Sequence, residues 1–95
     1  MNVMNYSSAV NVLTKAGYRL TNKCTYDGQT YHDFGTRKDT TVSLVVDQET
    51  GAVVRAEVSK MRWSDKSRRY EMHKDFIFSL QELVDRFAPR KPMSL

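Results

Sequence analysis

Few side chains in this sequence are equipped for catalysis. Cys24 is the single cysteine, and His32 and His73 are the two histidines. A lone thiol excludes an intramolecular disulfide and a multi-cysteine zinc site, and within a strand it reads as a small buried hydrophobe. His32 and Asp33 are neighbours, so on a strand they point to opposite faces and cannot form a dyad. Glu71, His73 and Asp75 share one strand face as carboxylate, imidazole, carboxylate. That stripe is compatible with a weak metal site or an acid–base pair, and equally with a solvated strand. The four glycines are isolated, and no G-x-S-x-G, H-E-x-x-H, C-x-x-C or phosphate-binding glycine loop occurs. The expectation is a protein that is not an enzyme, with no cofactor, metal or catalytic residue.

Charge is more informative. The chain carries 15 basic and 11 acidic residues, net +4. Lys60, Arg62, Lys66, Arg68, Arg69 and Lys74 lie between residues 60 and 74 with only Asp65 and Glu71 as acids, so the whole excess sits in that stretch. Trp63 and Tyr70 are set among these cations. Guanidinium groups match phosphates, and aromatic faces stack on bases or on other side chains. The candidate binding residues are therefore Lys60, Arg62, Trp63, Lys66, Arg68, Arg69 and Tyr70.

The elements that position them follow from periodicity. Tyr6, Ala9, Val10, Leu13 and Ala16 recur at helical spacing, which predicts a helix over 5–17 capped by Asn5 or Ser7 and ended by Gly17, with Tyr18 folding back on Leu13. Tyr18, Leu20, Cys24 and Tyr26 alternate with polar residues as a half-buried strand. Asp27-Gly28 then favours a two-residue type I′ turn that sets Cys24 opposite Tyr31. Parity is ambiguous in the returning strand, Gln29 to Thr36, because Tyr31 and Phe34 fall on opposite faces, and its availability as an edge stays open. The polar Arg37-Lys38-Asp39 loop leads to a second hairpin, Thr41–Asp47 and Ala52–Trp63 about a turn ending at Gly51. A third hairpin leads into Tyr70, Met72, Phe76 and Phe78. A final helix over 79–88 has Ser79 as N-cap, Glu82 completing a capping box, and Phe78 and Leu83 as a hydrophobic staple. Pro89 stops it before a loose tail over 89–95.

The expected fold is thus a single α+β domain over 1–95, an antiparallel meander of about five strands over 18–78 with an N-terminal and a C-terminal helix packed on one face. Ala56, Val58, Phe76 and Phe78 are expected beneath the helices, with Arg55, Glu57, Glu71, His73 and Asp75 facing water on the other side. If the third hairpin turns near Lys66, residues whose numbers sum to 132 face each other. Arg62 then lies opposite Tyr70, and Trp63 opposite Arg69, as cation–π pairs. Lys60 and Arg62 on the core face would make burial costly, so the hairpin should project beyond the core as an arm.

The opening residues, Met1 to Tyr6, show neither the basic start nor the apolar run of a signal peptide, and no stretch is long enough to span a bilayer, so a cytoplasmic location with no membrane partner is expected. The functional expectation is stoichiometric binding of a protein or nucleoprotein complex through the basic aromatic hairpin. The role is that of an inhibitor or adaptor, such as a mobile-element accessory protein acting against a host defence complex. The alternative is direct binding of DNA or RNA through the same hairpin. Double-stranded-RNA-binding domains share the order helix, strands, helix, but the second helix here carries Arg86 as its only basic residue and lacks the lysine cluster such domains place at its start, so the likeness ends at element order.

Overall fold

The computed structural model describes residues 4–36 and 40–87. The elements run α1 (Tyr6–Lys15), β1 (Arg19–Tyr26), β2 (Gln29–Gly35), β3 (Thr40–Asp47), β4 (Val53–Ser64), β5 (Arg69–Ile77) and α2 (Leu80–Phe87). The strands form one antiparallel sheet in the order β1-β2-β3-β4-β5, the expected meander with its two helices. The Arg37–Asp39 loop and the 89–95 tail lie outside the described residues.

Local chemistry accounts for the element ends. Asn5 Oδ1 accepts the Ser8 backbone N–H at 3.1 Å, capping α1. At the other end the Tyr18 N–H donates to the Leu13 carbonyl at 2.9 Å and the Gly17 N–H to Thr14 at 3.0 Å, a Schellman ending made possible by Gly17 at φ +93°. Asp27 and Gly28 both take positive φ, as the type I′ turn requires, and Cys24 pairs with Tyr31. Ser79 Oγ accepts the Glu82 N–H at 3.2 Å and so starts α2.

The core lies between the helices and one face of the sheet. Ala9 and Leu13 of α1 and Leu83 of α2 meet Phe34, Val42, Leu44, Ala56, Val58 and Ile77, with Met4 held by a backbone bridge to Val53. β2 is an interior strand, with Phe34 in the core and Tyr31 on the opposite, helix-free face, which resolves its ambiguous parity.

Three packing expectations are corrected. β1 is exposed along its length, and Cys24 is an exposed thiol. A bulge between Leu20 and Asn22 reverses the parity of β1, so Leu20 aligns with core-facing Phe34 whereas Cys24 aligns with Tyr31 on the helix-free face. Phe76 and Phe78 do not lie beneath the helices: Ile77 pairs with Ala56 and takes the buried position, while Phe76 and Phe78 are exposed and stack on each other with centroids 6.4 Å apart. Glu57 does not face water freely; it is 8% exposed.

His32 lies on the helix side, where Tyr6 Oη and His32 Nδ1 are 2.9 Å apart. Burial holds its imidazole below the ordinary value of 6.5, Lys23 adds to the effect and Asp33 opposes it. The unfolded chain therefore binds the proton more readily, and the contribution is full above about pH 6.5 and lost as the pH falls through the unfolded and then the folded value. Melting temperature should fall between about pH 7.5 and 5, and His32→Gln should flatten that slope in a thermal-denaturation series. The β4–β5 register makes a second test: Ile77→Ala should cost about 2–4 kcal/mol and Phe76→Ala under about 1 kcal/mol by denaturant titration, whereas a sum of 132 would reverse the order.

Candidate binding surface

The surface is built on the β4–β5 hairpin. β3 accompanies β4 as far as the pair Thr40 and Lys60; beyond it, Met61–Met72, Arg62–Glu71, Trp63–Tyr70 and Ser64–Arg69 pair only with each other among the described residues. The hairpin thus overhangs the sheet as the expected arm. Its turn contains Asp65, Lys66, Ser67 and Arg68, closed by the Arg68 N–H donating to the Ser64 carbonyl at 2.8 Å, with Arg68 left-handed at φ +52°. This four-residue loop replaces the turn centred on Lys66. Facing residue numbers therefore sum to 133 rather than 132, and every β5 side chain moves to the other face.

The proposed interleaving of cations and rings is overturned by that shift. Arg62 faces Glu71 and Arg69 faces Ser64, whereas Trp63 faces Tyr70. The two rings meet edge to face with centroids 5.3 Å apart, and Trp63 Nε1 donates to Asp65 Oδ1 at 3.1 Å. Lys60, Arg62 and Arg69 share the helix side of the ribbon with Glu71, His73 and Asp75. Lys66 and Arg68 occupy the tip. Trp63, Tyr70, Met61 and Met72 occupy the helix-free side, continued along β5 by Phe76. Trp63 is 54%, Tyr70 61%, Met72 64% and Phe76 50% exposed. Sequence reasoning found Trp63 and Tyr70 and missed Met61, Met72, Phe76 and Phe78. The three consecutive apolar residues Phe76-Ile77-Phe78 satisfy either parity, so pattern alone could not place them.

Polar contacts order the middle of the same face. Glu57 takes Arg55 Nε at 2.9 Å on one oxygen and Lys74 Nζ at 3.3 Å on the other. Arg55 also reaches Tyr31 Oη at 3.4 Å, and Ser43 Oγ donates to Asp33 at 2.6 Å. Val45 is fully buried on this side, where its cross-strand partners are Tyr31 and Arg55. The helix-free face is therefore divided: an ordered polar centre flanks an exposed apolar stripe.

Catalytic geometry is not assembled by these contacts. Cys24 and His32 stand on opposite faces of the β1–β2 hairpin, since Cys24 pairs with Tyr31 and Lys23 with His32. Glu71, His73 and Asp75 share a face as expected, but it is the helix side, where Asp75 Oδ2 accepts Arg86 at 3.0 Å and Glu71 accepts Ser67 Oγ at 2.9 Å. Among the described residues no group of three or more His, Cys, Asp and Glu is placed to hold a metal. No helix among them is long and apolar enough to cross a membrane.

Trp63→Ala should lower stability by only about 0.5–1.5 kcal/mol in denaturant titration, because it removes a ring pair but no buried volume. Compared with protein-family models, curated proteins and solved structures, the chain finds no match.

Proposed function

We propose that this protein is a stoichiometric binding module that docks onto a protein, alone or within a nucleoprotein complex, through the helix-free face of the β4–β5 arm. The observation that carries the reading is the separation of ring from charge: Trp63, Tyr70, Met61 and Met72 share one face of the overhanging ribbon, while Lys60, Arg62 and Arg69 share the other. Tryptophan, tyrosine and methionine are the residues enriched where protein interfaces bury most area, with charges kept to the rim. A strand-binding platform for nucleic acid instead sets cations beside its stacking rings, so that backbone phosphate and base are held together. Here the cation beside the stripe, Lys74, is held by Glu57. The basic face and tip then serve to steer an acidic partner and to set the on-rate.

An inhibitor or adaptor role suits this geometry. A flat, projecting ribbon offers area for a stable contact and no enclosed pocket for chemistry.

Two measurements on the intact chain decide between partners. Affinity capture with wild-type protein should retain a protein whose binding weakens at least about 30-fold on Trp63→Ala or Tyr70→Ala, and only a few-fold on neutralising Arg62 and Arg69. Titration with single- and double-stranded DNA and RNA at about 50 and 200 mM salt, followed by Trp63 fluorescence, should show no tight binding. Tight, steeply salt-dependent binding lost on neutralising Arg68 and Arg69 would overturn this reading in favour of direct nucleic-acid recognition.

A further inference from the structure

The two edges of the sheet differ in a way that the partner-binding face does not explain. β1 is the blunted edge: it carries a bulge at Leu20/Asn22, which discourages strand addition. β5 is a regular nine-residue edge with no register shift against β4. Among the described residues no strand pairs with its outward side, which leaves backbone donors and acceptors for another strand.

Its sequence is complementary to itself. In two antiparallel copies related by a two-fold axis, each residue on one side of the axis faces the residue equally far on the other side. With the axis at Met72, Met72 faces its own copy, Glu71 faces His73, Tyr70 faces Lys74 and Arg69 faces Asp75. Every charged residue then meets an opposite charge or a ring. Moving the axis by one residue destroys this: at His73 it sets Glu71 against Asp75, and at Glu71 it sets Glu71 against itself. Like charges directly opposite are destabilising, so the charge pattern selects one register.

A separate part of the molecule fits the same register. Beyond Arg69 it brings the turn of one copy, Asp65 to Arg68, beside the end of β5 and the start of α2 of the other. Phe76 lines a shallow groove between β5 and α2, with Ile77, Glu82, Asp85 and Arg86. Glu82 accepts a neutral hydrogen bond from Ser79 Oγ at 3.3 Å and Asp85 one from Gln81 Nε2 at 2.9 Å, while Arg86 is engaged by Asp75. The groove is therefore net acidic where the basic tip arrives. The overhanging arm, which lacks a neighbour beyond β4 among the described residues, would gain one along β5.

We infer that this protein self-associates as a two-fold dimer by antiparallel pairing of β5 with β5 of a second copy, centred on Met72, with the basic tip of each arm seated against the acidic β5–α2 groove of the other. The pairing uses the strand edge, so both helix-free faces stay on the same side of a continuous ten-stranded sheet and their Trp63, Tyr70 and Met72 stripes adjoin. The dimer does not depend on the identity, or the existence, of the docking partner.

The mass by light scattering should rise with concentration from the 11.0 kDa of the chain toward twice that value, and less readily at high salt, since the charge pairs are exposed. Arg69→Asp and Asp75→Arg should each weaken self-association roughly tenfold or more, because each sets like charges opposite twice per dimer. An equimolar mixture of the two variants should dimerise again, since both cross-strand contacts then pair opposite charges, a rescue that misfolding of either chain would not show. In a Cys24→Ser background, Met72→Cys should cross-link to its own copy on mild oxidation, as the axial pair lies within disulfide reach. Tyr70→Cys and Lys74→Cys, each about 13 Å from its own copy, should not. A wild-type chain that stays at 11.0 kDa at millimolar concentration and low salt, a mixture that stays monomeric, or cross-linking as ready at positions 70 and 74 as at 72 would overturn the proposal.

Discussion

The loop from Asp65 to Arg68 imposes the register on which both faces of the arm depend. Four residues separate Ser64 from Arg69, and the left-handed Arg68 lets the Ser64 carbonyl take the closing hydrogen bond. Because side chains alternate with period two, this single choice decides where every residue of β5 points. It delivers Ile77 to the core opposite Ala56 and sends Phe76 outward. It also pairs Trp63 with Tyr70 and leaves the cations on the reverse of the ribbon.

The second constraint is coverage. Two helices of 10 and 8 residues are short relative to a five-stranded sheet, and they cover one face only. The opposite face must be kept soluble by its own side chains. It does so in the middle, where Arg55, Glu57 and Lys74 form an ordered ion cluster and Glu57 is buried with both oxygens engaged, which removes the cost of desolvating the carboxylate alone. Along the arm no described residue supplies such cover, and Trp63, Tyr70, Met61 and Met72 are exposed. An exposed apolar stripe of this kind is the basis of the proposed docking face.

Edge control is unequal across the sheet. The bulge in β1 interrupts its ladder, whereas β5 runs regularly, with Arg69, Glu71, His73 and Asp75 on one side and Tyr70, Met72, Lys74 and Phe76 on the other. The proposed self-pairing rests on this pattern, since like charges directly opposite destabilise a strand pair.

The sequence by itself determined the elements and most of their boundaries, because the signals are local: Asn5 and Ser79 as caps, Gly17 as the left-handed end of α1, Asp27-Gly28 as the tight turn, and the alternation of Val42, Leu44 and Val46 that marks the core face of β3. It also located the basic arm, since six cations between residues 60 and 74 are a matter of counting. Only the tertiary structure decided which face each side chain of β5 occupies. Phe76-Ile77-Phe78 is apolar at both parities, so the local pattern is the same for either register, and the choice rests on the four-residue Asp65–Arg68 loop, which sets Ile77 opposite Ala56. Cys24, an expected buried thiol, is exposed because β1 is an edge strand exposed along its whole length, a position that only the order of strands in the sheet decides. In β5 a one-residue offset, invisible to periodicity, exchanges the inside of the sheet for the outside.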